Sequence, residues 1–258
     1  MNRTNLDFLQ SMFLFSGFYN FNLVIVNQTS EDAILKSDFD TIKVINVFEK
    51  GLSKSRNIAI KNSSKEIILL TDDDVVFELH FENKILKEFN SHSSHDGFRF
   101  QFKNELGKFI KKYPVKFHSN LNWFEILNTS SIELVFKRES INNVVFFDEN
   151  FGLGEKFPIG EEAIFLADAI NKKCKIGFVP HTLMTHNGST TSSKTATNSL
   201  YFNQAAVFYR IFKNKYLFWV FLKLFFDLKQ GNIAFSNVFT LLKEAIKGKN
   251  KYAEHIKL

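Results

Sequence analysis

The chain has little of what builds several common protein classes. A single cysteine, Cys174, excludes a disulfide framework and any zinc site made from several thiolates. It also points to a reducing compartment, and the expected location is the cytoplasm. Three prolines and 11 glycines in 258 residues exclude collagen-like and low-complexity chains. A long hydrophobic run is lacking as well. The longest apolar stretch, 216–228, is broken by Lys223 and Asp227 and falls short of the roughly 20 apolar residues of a membrane span. The amino-terminal residues are polar and give no secretory signal.

What is present is apolar and aromatic. Hydrophobic residues make up 45% of the chain and charged residues 23%, as in a folded domain with a sizeable core. Phenylalanine alone accounts for 32 positions. The net charge of +6 is uneven: residues 200–258 hold ten Lys and Arg against three Asp and Glu, an excess of +7 that leaves the rest near −1. A basic tail on a nearly neutral body suits an anionic surface better than nucleic acid, and no nucleic-acid partner is expected.

The first two-thirds alternates strand-like and helix-like segments. Strands are expected at 23–26, 43–47, 66–70 and 132–136, with a last one at 175–179 stopped by Pro180. Helices are expected at 53–62, with Ser53 as N-cap, and at 78–89 and 160–173. Residues 91–130 read as irregular with one or two strands. This rhythm argues for an α/β fold with a mostly parallel sheet flanked by helices. No repeat or long linker appears, so the expected organisation is one domain over 1–199 and a helical basic and aromatic extension over 200–258.

The clearest strand ends in Asp72-Asp73-Asp74. In open α/β sheets ligands bind at the carboxyl ends of strands. Packed carboxylates repel one another, and a divalent cation removes the conflict. Oxygen ligands suit Mg²⁺ or Mn²⁺, which commonly share a site with substrate phosphates; a solvated acidic turn is the plainer alternative. Upstream, Gly51-Leu52-Ser53-Lys54-Ser55-Arg56-Asn57 offers a tight turn and a guanidinium fork suited to phosphate or carboxylate, or simply a surface arginine. Downstream, Gly160-Glu161-Glu162 places carboxylates at a helix start, as candidate general bases or as complements to the helix dipole. Pro180 to His186 puts histidines after a strand, structural or metal-ligating. His92 and His95, in Ser-rich surroundings without further ligands, read as a surface loop rather than a zinc site.

Taken together, Asn-Gln-Thr-Ser, Gly-Leu-Ser-x-x-Arg-Asn, Asp-Asp-Asp after a strand, Phe-Gly-Leu-Gly with Gly-Glu-Glu, and Pro-His with a second His resemble family 2 glycosyltransferases of the GT-A fold. The resemblance covers roughly residues 2–190. It implies an inverting, metal-dependent transfer of a sugar from a nucleoside-diphosphate sugar, a UDP-sugar, to a glycan or lipid-linked acceptor in surface polysaccharide synthesis such as capsule or O-antigen. By the same resemblance Asn27, Ser30, Asp32, Arg56, Asn57, Asp72 and Asp73 would bind the nucleotide. Asp72, Asp74 and His186 would hold Mn²⁺ or Mg²⁺. Glu162 would be the base, with Glu161 beside it. Two departures accompany it. The apolar strand that opens family members is expected to be missing, since Met1 stands directly before Asn2-Arg3; and Asn27 stands where Asp is usual. A catalytically impaired scaffold in a polysaccharide-assembly complex is the alternative. Asp72-Asp73-Asp74 also fits the nucleophile motif of haloacid-dehalogenase-type phosphatases, where Asp72 would be phosphorylated.

The acceptor-facing stretch would fall at about 95–157, where Phe98, Phe100, Trp123, Glu125 and Asn128 are candidates for lining it. Beyond residue 200, Tyr209, Phe212, Tyr216, Trp219, Phe221, Phe225 and Phe226 alternate with Lys213, Lys215, Lys223 and Lys229. That pattern suits either a core helix or one lying at an anionic membrane surface, expected at the inner face of the cell membrane.

Overall fold

The computed structural model describes residues 2–187 and 197–256. Met1, which carries the expectation about a missing strand, lies outside the described residues, as do 188–196 before the boundary expected near 200. The fold is α/β, with two sheets. Strands β1 (Leu23–Gln28) and β2 (Ile42–Val47) form a two-stranded parallel sheet. A five-stranded sheet contains β3 (Ile67–Leu69), β4 (Val75–Phe77), β5 (Gly97–Asn104), β6 (Leu134–Lys137) and β7 (Ile176–His186), in the order β3-β6-β5-β7-β4. Within it β5 and β7 run parallel and the other three pairs are antiparallel, so the sheet is more mixed than its apolar strands suggest.

The helices are α1 (Asp7–Met12), α2 (Leu52–Asn62), α3 (Phe81–Ser91), α4 (Trp123–Leu127), α5 (Arg138–Ile141), α6 (Glu161–Asn171), α7 (Asn198–Phe212), α8 (Tyr216–Lys229) and α9 (Val238–His255). Their faces follow the helical period. On α3, Phe81, Ile85, Glu88 and Phe89 recur at three- and four-residue spacing and are buried. Phe81, Ile85 and Phe89 join one large core cluster with Phe77, Phe98, Phe100 and Val135. Phe136, Phe165, Ile176 and Phe178 form a second core cluster under α6.

Several local expectations are corrected. Pro180 does not end a strand: β7 continues to His186. Its pairing with β5 shifts register between Arg99 and Gln101, and a register break is where a residue without an N–H fits a ladder. Ser53 is not an N-cap; Gly51 holds that position, and Ser53 lies inside α2, where its hydroxyl donates to the Phe151 carbonyl. Phe98 and Phe100 are fully buried in the core and cannot line a surface for an acceptor. His92 and His95 lie in the expected loop, between α3 and β5, but their rings turn inward. His95 is buried, stacks on Phe98 and donates to the Ser119 carbonyl, and His92 stacks on Phe117. Both rings have aromatic faces to cover them, which their sequence neighbours do not reveal.

The last three helices pack around their own cluster of Tyr201, Ala205, Phe208, Val220, Leu224 and Leu241. They meet the sheet domain through Arg210, which donates to Asp148 (2.8 Å) and Asp168 (2.7 Å). The Tyr252 ring packs tilted against Phe151 and edge-on against Phe157 at the same junction. No helix among the described residues is long and apolar enough to cross a membrane.

Candidate active site

Asp72, Asp73 and Asp74 occupy the short connection between β3 and β4. Strand β4 pairs with the end of β7, and Val75 stands opposite His186. This register brings the histidine beside the aspartates from 112 positions away. His186 Nε2 lies 3.3 Å from Asp74 Oδ1, and ligand atoms of Asp72, Asp74 and His186 all lie within 4.8 Å of one another. Two carboxylates and an imidazole at that spacing are a donor set that fits Mn²⁺ or Mg²⁺.

The second half of the site is built on a glycine. Gly160, at φ +88°, precedes α6, and a Cβ there would come within 2.4 Å of Val207. Only glycine allows this entry, and it sets Glu161 and Glu162 on the first turn of α6. The loop before them is docked on α2, since Leu52 N–H donates to the Leu153 carbonyl.

Between the two halves stands Arg56. It is buried, so it is not the surface arginine that the sequence allows. Its Nη1 donates to Glu161 (3.0 Å) and Glu162 (3.3 Å), and its Nη2 donates to Ser131 Oγ (2.7 Å) and lies 3.6 Å from Asp72. Ser131 N–H also donates to Glu162. One guanidinium thus faces three carboxylates, with Asp74 next to them. The imbalance has the expected electrostatic result. Desolvation pushes Asp72 above the usual carboxylate range, and Glu162 and Asp74 add to this against the pull of Arg56. Desolvation and the neighbouring Glu162 push Glu161 up to about 7, again against Arg56. Arg56 itself is desolvated, yet the surrounding carboxylates hold its pKa above its ordinary value.

The remaining candidates are more scattered. Asp73 turns away from Arg56 to accept from Arg3 Nε at 2.8 Å; desolvation acts upward, but Arg3 holds its pKa below the ordinary value. Asn27 is buried, and its amide bonds Arg3 and Asn46. Ser30 and Asp32 are exposed beyond the end of β1, and the Ser30 hydroxyl lowers the Asp32 pKa. Asn57 exchanges two hydrogen bonds with the backbone of Phe147 and donates a third to Glu149. Arg3 and Ser131 carry contacts that no sequence motif announced.

Sequence comparison decides the family. A model of the family described as "Glycosyl transferase family 2" matches residues 6–154. The chain belongs to that family. That membership removes the phosphatase reading of Asp72. No curated protein matches it in sequence. Among solved structures it is similar to S. aureus TarS 1–349, with a TM-score of 0.57 at 14% identity over 81% of this chain and 61% of that one. The same TarS fragment in complex with UDP-GlcNAc gives a TM-score of 0.58 at 15% identity, covering 80% and 61%. The complex with UDP gives 0.56 at 17%, covering 81% and 61%. At these identities the likeness concerns the fold, which is GT-A-like. The chain spans about three-fifths of the TarS fragments it resembles.

Proposed function

We propose that this family member is an inverting, metal-dependent glycosyltransferase that moves a sugar from a UDP-sugar to a glycan or lipid-linked acceptor in surface polysaccharide synthesis. The observation that carries the reading is the meeting of the Asp72–Asp74–His186 group with two helix-borne glutamates through one buried arginine. The UDP-sugar donor is supported by the similar TarS fold, solved with UDP and UDP-GlcNAc.

Glu162 is the base. It removes the proton from an acceptor hydroxyl, and that oxygen attacks the anomeric carbon as the bond to the nucleoside diphosphate breaks. The new bond forms on the opposite face, so the configuration inverts. Arg56 and Ser131 N–H orient the Glu162 carboxylate, and Arg56 also holds Asp72. A divalent ion on Asp72, Asp74 and His186 would neutralise charge on the departing diphosphate. Ser30 and Asp32 are exposed to contact the base, and Asn27 braces the strand before them.

The test is a thermal-shift series with UDP, GDP, dTDP and CMP, each with and without Mn²⁺. A ligand at 100 times its dissociation constant stabilises by about 2.7 kcal/mol, worth about 5 °C or more in a chain of this size. A Mn²⁺-dependent shift with UDP supports the reading. A chain that melts cooperatively and shifts with none of the four has no donor site.

A peripheral setting at the inner membrane face belongs to the same proposal. Phe218, Phe221 and Phe225 are exposed at three- and four-residue spacing along α8, and Phe235 and Phe239 are exposed as well. Lys213, Lys215 and Lys229 flank them, whereas Lys223 is tied to Asp227 and Tyr201. Tyr209, Phe212, Tyr216 and Trp219 pack inward instead, with Phe212 and Trp219 stacked at 4.5 Å. Sedimentation with anionic vesicles at low salt should carry the chain down; full recovery in the supernatant would remove this part.

A further inference from the structure

The last three helices meet the sheet domain at a polar junction that lies outside the site described above. Arg210 of α7 is partly buried there and grips two elements at once. Its Nε donates to Asp148 Oδ2 (2.8 Å). Its Nη1 and Nη2 donate to the two oxygens of Asp168 (3.1 and 2.7 Å), the paired geometry that a planar guanidinium makes with a carboxylate. Desolvation works against the charge on Asp148, yet Arg210 and Asn150 hold its pKa below the ordinary value.

Both carboxylates lead to the candidate base. Asp168 lies on α6, the helix whose first turn carries Glu161 and Glu162. Asp148 opens the loop that runs to that helix. It accepts from the backbone N–H and the side-chain amide of Asn150. The next residue, Phe151, accepts at its carbonyl from Ser53, one turn before Arg56 on α2. The carboxy-terminal helices close on the same loop from outside. The Tyr252 hydroxyl donates to Asp148 (3.5 Å), and His255 Nε2 donates to Asn150. Val207, one turn before Arg210, stands where a side chain on Gly160 would have to go.

Adhesion across this junction does not need an arginine. Phe151, Phe157, Ile164, Ala206, Val207 and Tyr252 form an apolar cluster that spans it. Apolar burial is non-directional, whereas a forked ion pair fixes distance and orientation. We propose that Arg210 is a positioning residue for sugar transfer: by tying Asp148 to Asp168 it fixes the approach to α6 and so aims Glu162 at the acceptor hydroxyl. This rests on the glycosyltransferase reading above. The metal group belongs to other elements, the β3–β4 connection and the end of β7. Loss of Arg210 therefore acts on turnover and spares donor binding.

The test compares the full-length wild type with Arg210→Met, which keeps length but not charge, and Arg210→Lys, which keeps charge but not the fork. UDP release from UDP-glucose, UDP-galactose, UDP-N-acetylglucosamine and UDP-N-acetylgalactosamine, with water as acceptor, is measured at a temperature where each chain is folded. In Arg210→Met, kcat should fall by about 10- to 100-fold, as when a reacting group is misplaced by roughly 1 Å. The donor KM and the Mn²⁺-dependent UDP shift should stay as in the wild type. Arg210→Lys should fall between the two, and it supplies the same readouts if Arg210→Met does not fold. Amide hydrogen exchange should quicken in 148–162 and not in β5 or β7. A lower melting temperature with kcat unchanged would make Arg210 a structural tie only and overturn the proposal. Unchanged exchange in 148–162, or a rise in donor KM that matches the loss of turnover, would overturn it too. A wild type that releases UDP from none of the four sugars sinks the transferase reading and the role in transfer with it, while quicker exchange confined to 148–162 would still show that Arg210 fixes that segment.

Discussion

The chain contains two buried ionic clusters that share a turn but differ in balance. Around Glu133, the one carboxylate is fully answered. Glu133 is fully buried and accepts from Arg99 (3.0 Å), Lys111 (2.8 Å), Tyr113 Oη (2.6 Å) and Ser130 N–H (2.6 Å). Around Arg56, one guanidinium serves Glu161, Glu162 and Asp72. The first cluster has two cations for one anion. The second has three anions for one cation, with Asp74 beyond them. A closed network fixes geometry; an excess of carboxylate near the end of a strand is a place kept ready for positive charge.

The largest expected effect comes from breaking the closed cluster. Glu133→Ala would leave Arg99 and Lys111 buried without their carboxylate. Removing one partner of a buried pair destabilises by about 3 to 5 kcal/mol. Urea unfolding measures this, and a loss under about 1 kcal/mol would mean that the network does not brace the fold.

Asp74→Asn probes the open cluster, and the contrast lies in what it leaves alone. Asp74 is largely exposed, with 45% of its side chain accessible, so stability should change by no more than about 0.5 kcal/mol. Transfer activity should fall about 100- to 1,000-fold, as when one transition-state stabiliser is removed, and the Mn²⁺-dependent part of the UDP shift should vanish. A variant that keeps both within twofold of wild type would show that Asp74 holds no metal.

The sequence shows the open cluster far better than the closed one. Three aspartates after Ile67-Ile68-Leu69 stand out because a run of like charge beside an apolar strand is chemically conspicuous. His186 is legible only through family resemblance, since the β4–β7 register that delivers it is a tertiary fact. Arg56 reads as an ordinary helix-start arginine, and nothing local tells that it is buried. The closed cluster is nearly silent. Strand β5 reads Phe98-Arg99-Phe100-Gln101-Phe102, an alternation that ordinarily puts the polar residues in water. Here both faces are buried, and Arg99 is 1% exposed. The available signal was a cation, Arg99, set in a Phe-rich strand, with an acid, Glu133, just before Leu134-Val135-Phe136. Pairing them needs the antiparallel β5–β6 register, which places Arg99 opposite Leu134.

The finest test of the contrast is the pH dependence of Glu161→Gln, measured with EDTA present. In the folded chain Glu161 is held up to about 7, from an ordinary value of 4.5, by desolvation and by the charge on Glu162. A carboxylic acid whose folded pKa is raised favours the protonated form. Its contribution to stability is therefore complete below about pH 4.5 and is lost as pH rises through about 7. A shift of this size corresponds to a ceiling of about 3.4 kcal/mol. Because Glu161 shares Arg56 with a second carboxylate, a difference on the order of 2 kcal/mol is expected. Near pH 4.5 the wild type and the variant should melt alike. By pH 8 the variant should be the more stable, by roughly 5 °C, because a neutral amide takes the place of a carboxylate that Arg56 has to share. The Glu133 cluster behaves the other way, since neutralising its one carboxylate destabilises. If Glu161→Gln melts lower than the wild type at pH 8, the Arg56 cluster is as closed as the Glu133 cluster, and the excess of negative charge that defines the site is not there.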